Sequence, residues 1–350
     1  MVKAKVRYLA VRTHGLYSHL IDLDEMKSWA LIDSDEELFN KMANTDYGAF
    51  FEGPQDLSDV SKVEDAIYRS LSVRFRRLLS LSRGTKVEAL IKNFLSKYDI
   101  ENLRRIVFSL TYGRTPEELY LLPIGGFKLD IGKLSKTTRV EHLIDLLEDR
   151  GLAKLIQSWY TSDEREPYRL DLNLDSYYVR TLLAMMEGRR KVIKKRSPAG
   201  LLIWSYAESY IMESALKALY LDISGEEVAN IYGRLPFRRL MGVIRSSNSI
   251  KELLENLLKI EPYKPYAYEI MEAMREVGEP WVIEHTIEKR IYVESLRISL
   301  KQPISEAYIL KYLNAVEWEA QNVKTILLGR ISGISKDTLY KLLELPTTSL

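Results

Sequence analysis

Apolar residues along this chain recur at spacings of three and four far more often than in alternation. "YLAVRTHGLYSHLIDLDEM", "VEALIKNFLSKYDIENLRRIVFSL", "LLIWSYAESYIMESALKALYL" and "AYILKYLNAVEWEAQNVKTILL" each gather their aliphatic and aromatic side chains on one face of a helix. Segments that read as strands are few and short, such as "YLLPIGGFKL" (120–129). The pattern predicts an all-α fold. One position breaks it. In "YDIENLRRI" (98–106), Asn102 falls within about 40° of Ile91, Leu95, Tyr98 and Ile106 on the helical wheel, where an aliphatic residue is expected. Asn is a poor helix former, and a buried amide needs partners for its donors and its acceptor.

The arrangement returns 220 residues later at Asn322, in "EWEAQNVKTI". In both places an acid stands three residues before the Asn (Asp99, Glu319) and an aromatic four before (Tyr98, Trp318). An Ile follows four after (Ile106, Ile326) and a Gly eleven after (Gly113, Gly333). Halving the interval points near residue 212. There "SYIMESALKALYLDISG" sets Ser214 in the Asn slot, Tyr210 four before and Gly225 eleven after, with Ile211 in place of the acid. Capping boxes of the form S/T-x-x-E at Ser34–Glu37, Thr138–Glu141 and Ser249–Glu252 fall into the same frame. So do the Tyr- and Leu-bearing segments "VEDAIYRSL", "LDSYYVRTL" and "IYVESL". A period of about 110 residues is too long for tetratricopeptide or HEAT units. It predicts three similar, domain-sized helical repeats, 1–122, 123–238 and 239–350. The boundaries fall near "LLPIGGFKLDIGKLSKTT" and "YGRLPFRRLMGVIRSSN", which are rich in Gly, Pro, Ser or charge.

Composition sharpens this by exclusion. With 350 residues, 46% hydrophobic and 29% charged, the chain exceeds one hydrophobic core. The net charge of +2 sets up no global field toward nucleic acid or membrane, so any basic partner surface must be local. The absence of cysteine rules out disulfides, thiolate catalysis and Cys-ligated metals. The longest uncharged stretch, "SPAGLLIWSYA" (197–207), is far below the roughly 20 residues of a membrane span. The opening "MVKAKVRYLAVR" carries charges where a signal peptide is apolar, so a cytoplasmic chain that does not enter the bilayer is expected.

Candidate chemistry is sparse. His14, His19, His142 and His285 are scattered, lack neighbours at metal-ligand spacing, and read as surface residues. No G-x-x-x-x-G-K-[ST] or G-x-G-x-x-G is present, and "PIGG" (123–126) reads as a chain reversal. No catalytic, cofactor or metal residues are therefore assigned. The pairs Asp99/Asn102 and Glu319/Asn322 each project from one helix face. They either bind a polar ligand or satisfy backbone groups of a neighbouring turn. Replacement by Ile211 and Ser214 in the middle copy favours the second role, making Asp99, Asn102, Ser214, Glu319 and Asn322 helix-junction residues. The densest basic run, "GRRKVIKKR" (188–196), holds Arg189, Arg190, Lys191, Lys194, Lys195 and Arg196. It is either a solvated segment or a contact for nucleic acid, lipid headgroups or acidic loops; few aromatics interleave with it, against single-strand binding.

The ordered set of segments resembles one family, the C subunits of the archaeal and bacterial A/V-type ATP synthases, whose counterpart in the eukaryotic V-ATPase is the d subunit. "YLAVRTHGLYSHLI" is similar to that family's opening helix, and "SDEELFNKMANTDYG" to its next helix with a Thr-x-Tyr-Gly turn. "YDIENLRRIVFSLTYGRTPEEL" and "EWEAQNVKTILLGRISGISKDTL" resemble its acid-x-x-Asn helices, and "LPIGGF" its Pro-x-Gly segment. The middle copy departs from the acid-x-x-Asn form. The resemblance implies three helical domains arranged as a funnel with pseudo-threefold symmetry. It implies a non-catalytic rotor part, one copy per complex, on the cytoplasmic face of the membrane proteolipid ring, holding the end of the central shaft and transmitting torque. It implies no cofactor and no nucleic acid. A helical scaffold unrelated to ATPases that binds an anionic partner through 188–196 stays open, as does a helical enzyme with a site of dispersed residues.

Overall fold

The computed structural model describes residues 2–113, 120–187 and 192–343. Among them are seventeen α-helices, two short 3₁₀ helices and no strand. The first are α1 (Val2–Tyr17), α2 (Leu23–Leu31), α3 (Asp35–Met42), α4 (Val60–Ser82) and α5 (Lys86–Thr111). Next come α6 (Ile131–Leu134), α7 (Val140–Leu146), α8 (Arg150–Tyr160), α9 (Pro167–Ala184), α10 (Pro198–Tyr220) and α11 (Gly225–Tyr232). The last are α12 (Arg238–Arg245), α13 (Ile250–Leu257), α14 (Lys264–Val277), α15 (Trp281–Ser299), α16 (Glu306–Ile331) and α17 (Lys336–Leu343). Long helices come in consecutive pairs: α4 with α5, α9 with α10, α15 with α16. First members begin at 60, 167 and 281 and second members at 86, 198 and 306, close to the spacing read from the sequence.

Helix starts follow their chemistry. Ser34 accepts from the Glu37 N–H at 3.4 Å and Ser249 from the Glu252 N–H at 3.2 Å, closing two of the expected boxes. The third does not form; α7 starts after Arg139 with no side-chain cap. The aligned glycines also differ. Gly113 and Gly333 end α5 and α16 with φ of 68° and 73°. After α10 the left-handed position is taken by Asp222 (φ 59°), and Gly225 opens α11 instead. A side chain there has no room, since a Cβ would lie 1.9 Å from the Ile244 carbonyl oxygen and 2.3 Å from that of Ser247.

The helices group into two compact units. One combines Met1–Val87, Lys194–Ser205 and Leu258–Leu350. Its axis is α16, with 20 of 26 residues buried; a helix buried almost all round must be covered on every side. Helices α1, α2, α4 and α15 cover it. The other unit, Glu88–Ile193 with Tyr206–Leu257, packs most of α5, α9 and the latter part of α10 with the shorter helices α6–α8 and α11–α13. Its core includes Ile91, Leu95, Leu174, Tyr178, Leu216 and Val228.

The two kinds of helical glycine should part company on substitution. Gly225→Ala drives a Cβ into backbone and is expected to cost about 2–3 kcal/mol, lowering the melting temperature by several degrees. Gly15→Ala, in α1 with nothing within 4 Å, should instead gain up to about 1 kcal/mol. Thermal denaturation followed by circular dichroism reads both; equal effects would contradict the packing of α11 on α12.

Candidate functional site

Asp99 and Asn102 lie one turn apart on α5 and face residues 122–129 of their own unit. The Asn102 amide nitrogen donates to the carbonyls of Ile124 (2.8 Å) and Leu122 (3.3 Å), while its oxygen accepts the Leu122 N–H at 2.8 Å. Asp99 accepts backbone N–H groups from Phe127 (3.1 Å), Lys128 (2.6 Å) and Leu129 (3.0 Å). Two side chains thus take the backbone groups that a strand partner would otherwise use. This is why "YLLPIGGFKL", strand-like in pattern, is an irregular segment. It runs between them through Gly125 and Gly126, both at positive φ. A Cβ on Gly125 would stand 2.9 Å from the Asn102 amide nitrogen, so only glycine lets the backbone come this close. Burial pushes the Asp99 carboxyl above its usual range, with the N–H groups of residues 126–129 pulling the other way.

The echo on α16 uses the same positions with different partners. Glu319 accepts from the Ile21 N–H (2.6 Å), the Tyr47 hydroxyl (2.9 Å) and the Arg74 guanidinium (2.5 Å). Arg74 also donates to Ser70 at 2.9 Å and lies 4.8 Å from the Tyr47 ring. Burial opposes the guanidinium's charge, but Tyr47 and Glu319 more than offset it and hold the group firmly protonated. The correspondence with Asp99 extends to the next residue. Leu129 and Ile21 each give an N–H to the helix carboxylate, and the following Asp130 and Asp22 cap α6 and α2. Asn322 does not share in it. It is fully buried, and among the described residues neither its amide nitrogen nor its oxygen has a hydrogen-bond partner.

In the middle copy, where Ile211 supplies no acid, the carboxylate comes from α9. Asp175 accepts from Ser214 (3.0 Å), Tyr210 (3.3 Å) and Arg104 (2.7 Å). Arg104 further pairs with Asp171 at 2.9 Å and with Glu101, which also holds Arg105. Burial pushes the Asp171 carboxyl up to about 6, with Asp175 and Glu101 adding to it and Arg104 resisting. Each unit therefore contains a knot of arginine, carboxylate and tyrosine: Arg74–Glu319–Tyr47 in one, Arg104–Asp175–Tyr210 in the other. Sequence reasoning missed both arginines. The signal existed for Arg74, which occupies a stripe position of α4 between Leu71 and Leu78.

The remaining candidates stay apart from these knots. His285, expected on the surface, is instead fully buried, because α15 packs it against α16 and the end of α17. Its Nε2 meets the Leu342 carbonyl at 2.9 Å and its Nδ1 the Thr325 hydroxyl at 3.1 Å. Burial lowers its pKa to about 4. His14 is exposed and stacks on Tyr308 with ring centroids 3.5 Å apart. No group of ligands able to hold a metal ion occurs among the described residues. Of the basic run, Arg189, Arg190 and Lys191 lie outside the described residues. Lys194, Lys195 and Arg196 are exposed, and the Lys195 ammonium stands 4.3 Å from the Trp204 ring centre. Among the described residues no helix is long and apolar enough to cross a membrane.

Fold and site together define an all-helical protein in which buried ionisable groups such as Asp99, Glu319 and Arg74 pair with the protein's own backbone and with one another. Comparison with known proteins is more specific. The model of the ATP synthase (C/AC39) subunit family matches residues 9–342, and the chain belongs to that family. It is 24% identical to the A-type ATP synthase C subunit of Methanocaldococcus jannaschii, over 97% of this chain and 86% of that protein. The C subunit of the Halorubrum lacusprofundi A-type ATP synthase is 22% identical over 87% of each chain. That of Methanosarcina barkeri is 23% identical over 79% of this chain and 75% of its own.

The two asparagines should respond oppositely to Leu, which shares their branching and heavy-atom count. Asn102→Leu strands the Leu122 N–H and the carbonyls of Leu122 and Ile124, and should cost about 3 kcal/mol. Asn322→Leu removes an amide that pairs with nothing, and should be neutral or stabilising. Denaturant titration of both variants decides; equal losses would contradict the described geometry.

His285 makes stability pH-dependent. The unfolded imidazole protonates near its ordinary 6.5, whereas the folded one stays neutral down to about 4. Between these values the unfolded chain binds more protons, so stability falls as pH drops through the window. The loss should reach about 3 kcal/mol at its lower end. A His285→Gln variant should lack this component. Parallel slopes for the two proteins between pH 6.5 and 4.5 would refute it.

Proposed function

We propose that the chain is a non-catalytic adaptor of the central rotor in an A/V-type ATP synthase. In this reading a single copy sits on the cytoplasmic face of the membrane proteolipid ring, peripheral to the bilayer. It holds the end of the central shaft and passes torque between ion translocation and ATP synthesis or hydrolysis. The carrying observation is the family match across residues 9–342, joined by the names of the relatives. The recurrence of the long-helix pairs supports three domain-sized repeats, 1–122, 123–238 and 239–350, as the units of this adaptor.

The physical requirement of such a part is stiffness, since any twist stored inside it loosens coupling. The polar contacts at Asp99, Asn102, Ser214 and Glu319 suit that requirement. Each sets a direction and a register that apolar packing alone leaves free to slide. The basic run 188–196 is the proposed contact with the ring, where cations steer and orient an acidic partner.

Co-purification from the native source tests the reading. One copy comigrating with shaft and proteolipid subunits is expected. A salt-dependent affinity for DNA or RNA, with none for shaft or ring, would replace it with the anionic-partner scaffold. Within the complex, reversing Arg189, Arg190, Lys194 and Lys195 to Glu should weaken docking on the ring at least about tenfold at low salt. Docking of that variant at wild-type strength, indifferent to salt, would take the run out of the interface.

A further inference from the structure

Helix α1 lies in a stretch that carries base and no acid. The first 21 residues hold four basic side chains and no acid, leaving the remainder with 47 basic against 49 acidic residues. Lys5, Arg7 and Arg12 are exposed and have no acidic partner among the described residues. Val6, Leu9, Ala10 and Leu16 are buried, so the inner stripe of α1 is consumed by its own unit.

The outer face is not simply polar. On the helical wheel Lys5 and Arg12 form one edge, Arg7 and His14 the other, roughly 160° away. Between them lie Tyr8, 62% exposed, and Val11, 56% exposed. His14 ties this face to the segment joining α15 to α16, its Nε2 meeting the Pro303 carbonyl at 3.1 Å. That segment adds Leu300, 70% exposed, and Ile304, 52% exposed, with exposed Lys301 beside Leu300. The result is an outer face, on a helix about 24 Å long, in which exposed Tyr8 and Val11 lie between cations and exposed Leu300 and Ile304 stand on the segment held at its His14 edge.

We infer that this face of α1, with residues 300–304, docks an acidic helical segment of a partner protein, laid along α1 with its carboxylates against Lys5, Arg7 and Arg12. Exposed apolar positions at the centre and charge at the rim are the layout of a protein interface. A lipid surface fits less well, because membrane binding uses a broad apolar face and that of α1 is turned inward. The inference rests on the rotor reading only in taking the partner to belong to the same complex.

The test uses the full chain, with purified shaft subunits and solubilised proteolipid ring as separate probes, and anionic phosphatidylglycerol vesicles as a third. Lys5→Glu/Arg7→Glu/Arg12→Glu should weaken binding to one of the two protein probes at least about tenfold, and should flatten its salt dependence. Tyr8→Ser/Val11→Ser, which keeps every charge, should weaken binding to the same probe while leaving the salt dependence in place. It also reads the surface should the triple variant fail to fold. Wild-type affinity of both variants for shaft and ring overturns the inference and leaves the rotor reading standing. Vesicle binding that is lost on charge reversal, with protein binding intact, assigns the face to lipid and overturns it too. A wild-type chain that binds neither protein probe overturns both.

Discussion

The recurring device in this protein is a carboxylate in the middle of a long buried helix that gathers backbone N–H groups from a segment elsewhere in its unit. A loop pressed against a helix has no strand beside it to satisfy its amides, and water is excluded. Each unpaired N–H would cost on the order of 1–3 kcal/mol. Asp99 answers this for residues 127–129, and Glu319 for Ile21. In both cases the next residue is an Asp that caps a new helix, so the carboxylate also fixes where that helix starts.

The buried arginines follow from the same constraint. A carboxylate withdrawn from water needs compensation, and Arg74 brings Glu319 both charge and directed donors. On α10, where Ile211 stands at the position aligned with Asp99 and Glu319, the carboxylate comes from another helix: Asp175 on α9 takes that role, with Arg104 from α5 as its cation. Buried pairs of this kind contribute little net stability over an apolar core, but breaking one partner is costly. Asn322 keeps the residue type of Asn102 without its hydrogen bonds among the described residues.

One unit is sewn together from distant parts of the chain. Arg330 donates to Asp35 at 2.6 Å and Lys336 to the Leu31 carbonyl at 2.9 Å, spans of 295 and 305 residues. Contacts this non-local raise the chain's contact order, which slows folding relative to a bundle of local contacts. The α16 helix at the centre of that unit is buried on nearly every face, so it has no stable exposed state to wait in. Its burial by α1, α2, α4 and α15 therefore couples the early and late segments of the chain into one cooperative body.

The helical class, the positions of the long helices and their recurrence were legible from the sequence, because a 3.6-residue apolar period and capping chemistry are local. So was the anomaly at Asn102, since a polar residue on an apolar stripe stands out without any structure. The burial of His285 was not legible, because a lone His looks the same in a core as on a surface. Nor were the partners of Asp99, Glu319 and Asn322. Identical spacing on two helices ends in a satisfied amide in one and an orphaned one in the other. Hydrogen bonding depends on which backbone is brought within about 3 Å, and only the packing of segments distant in the chain decides that.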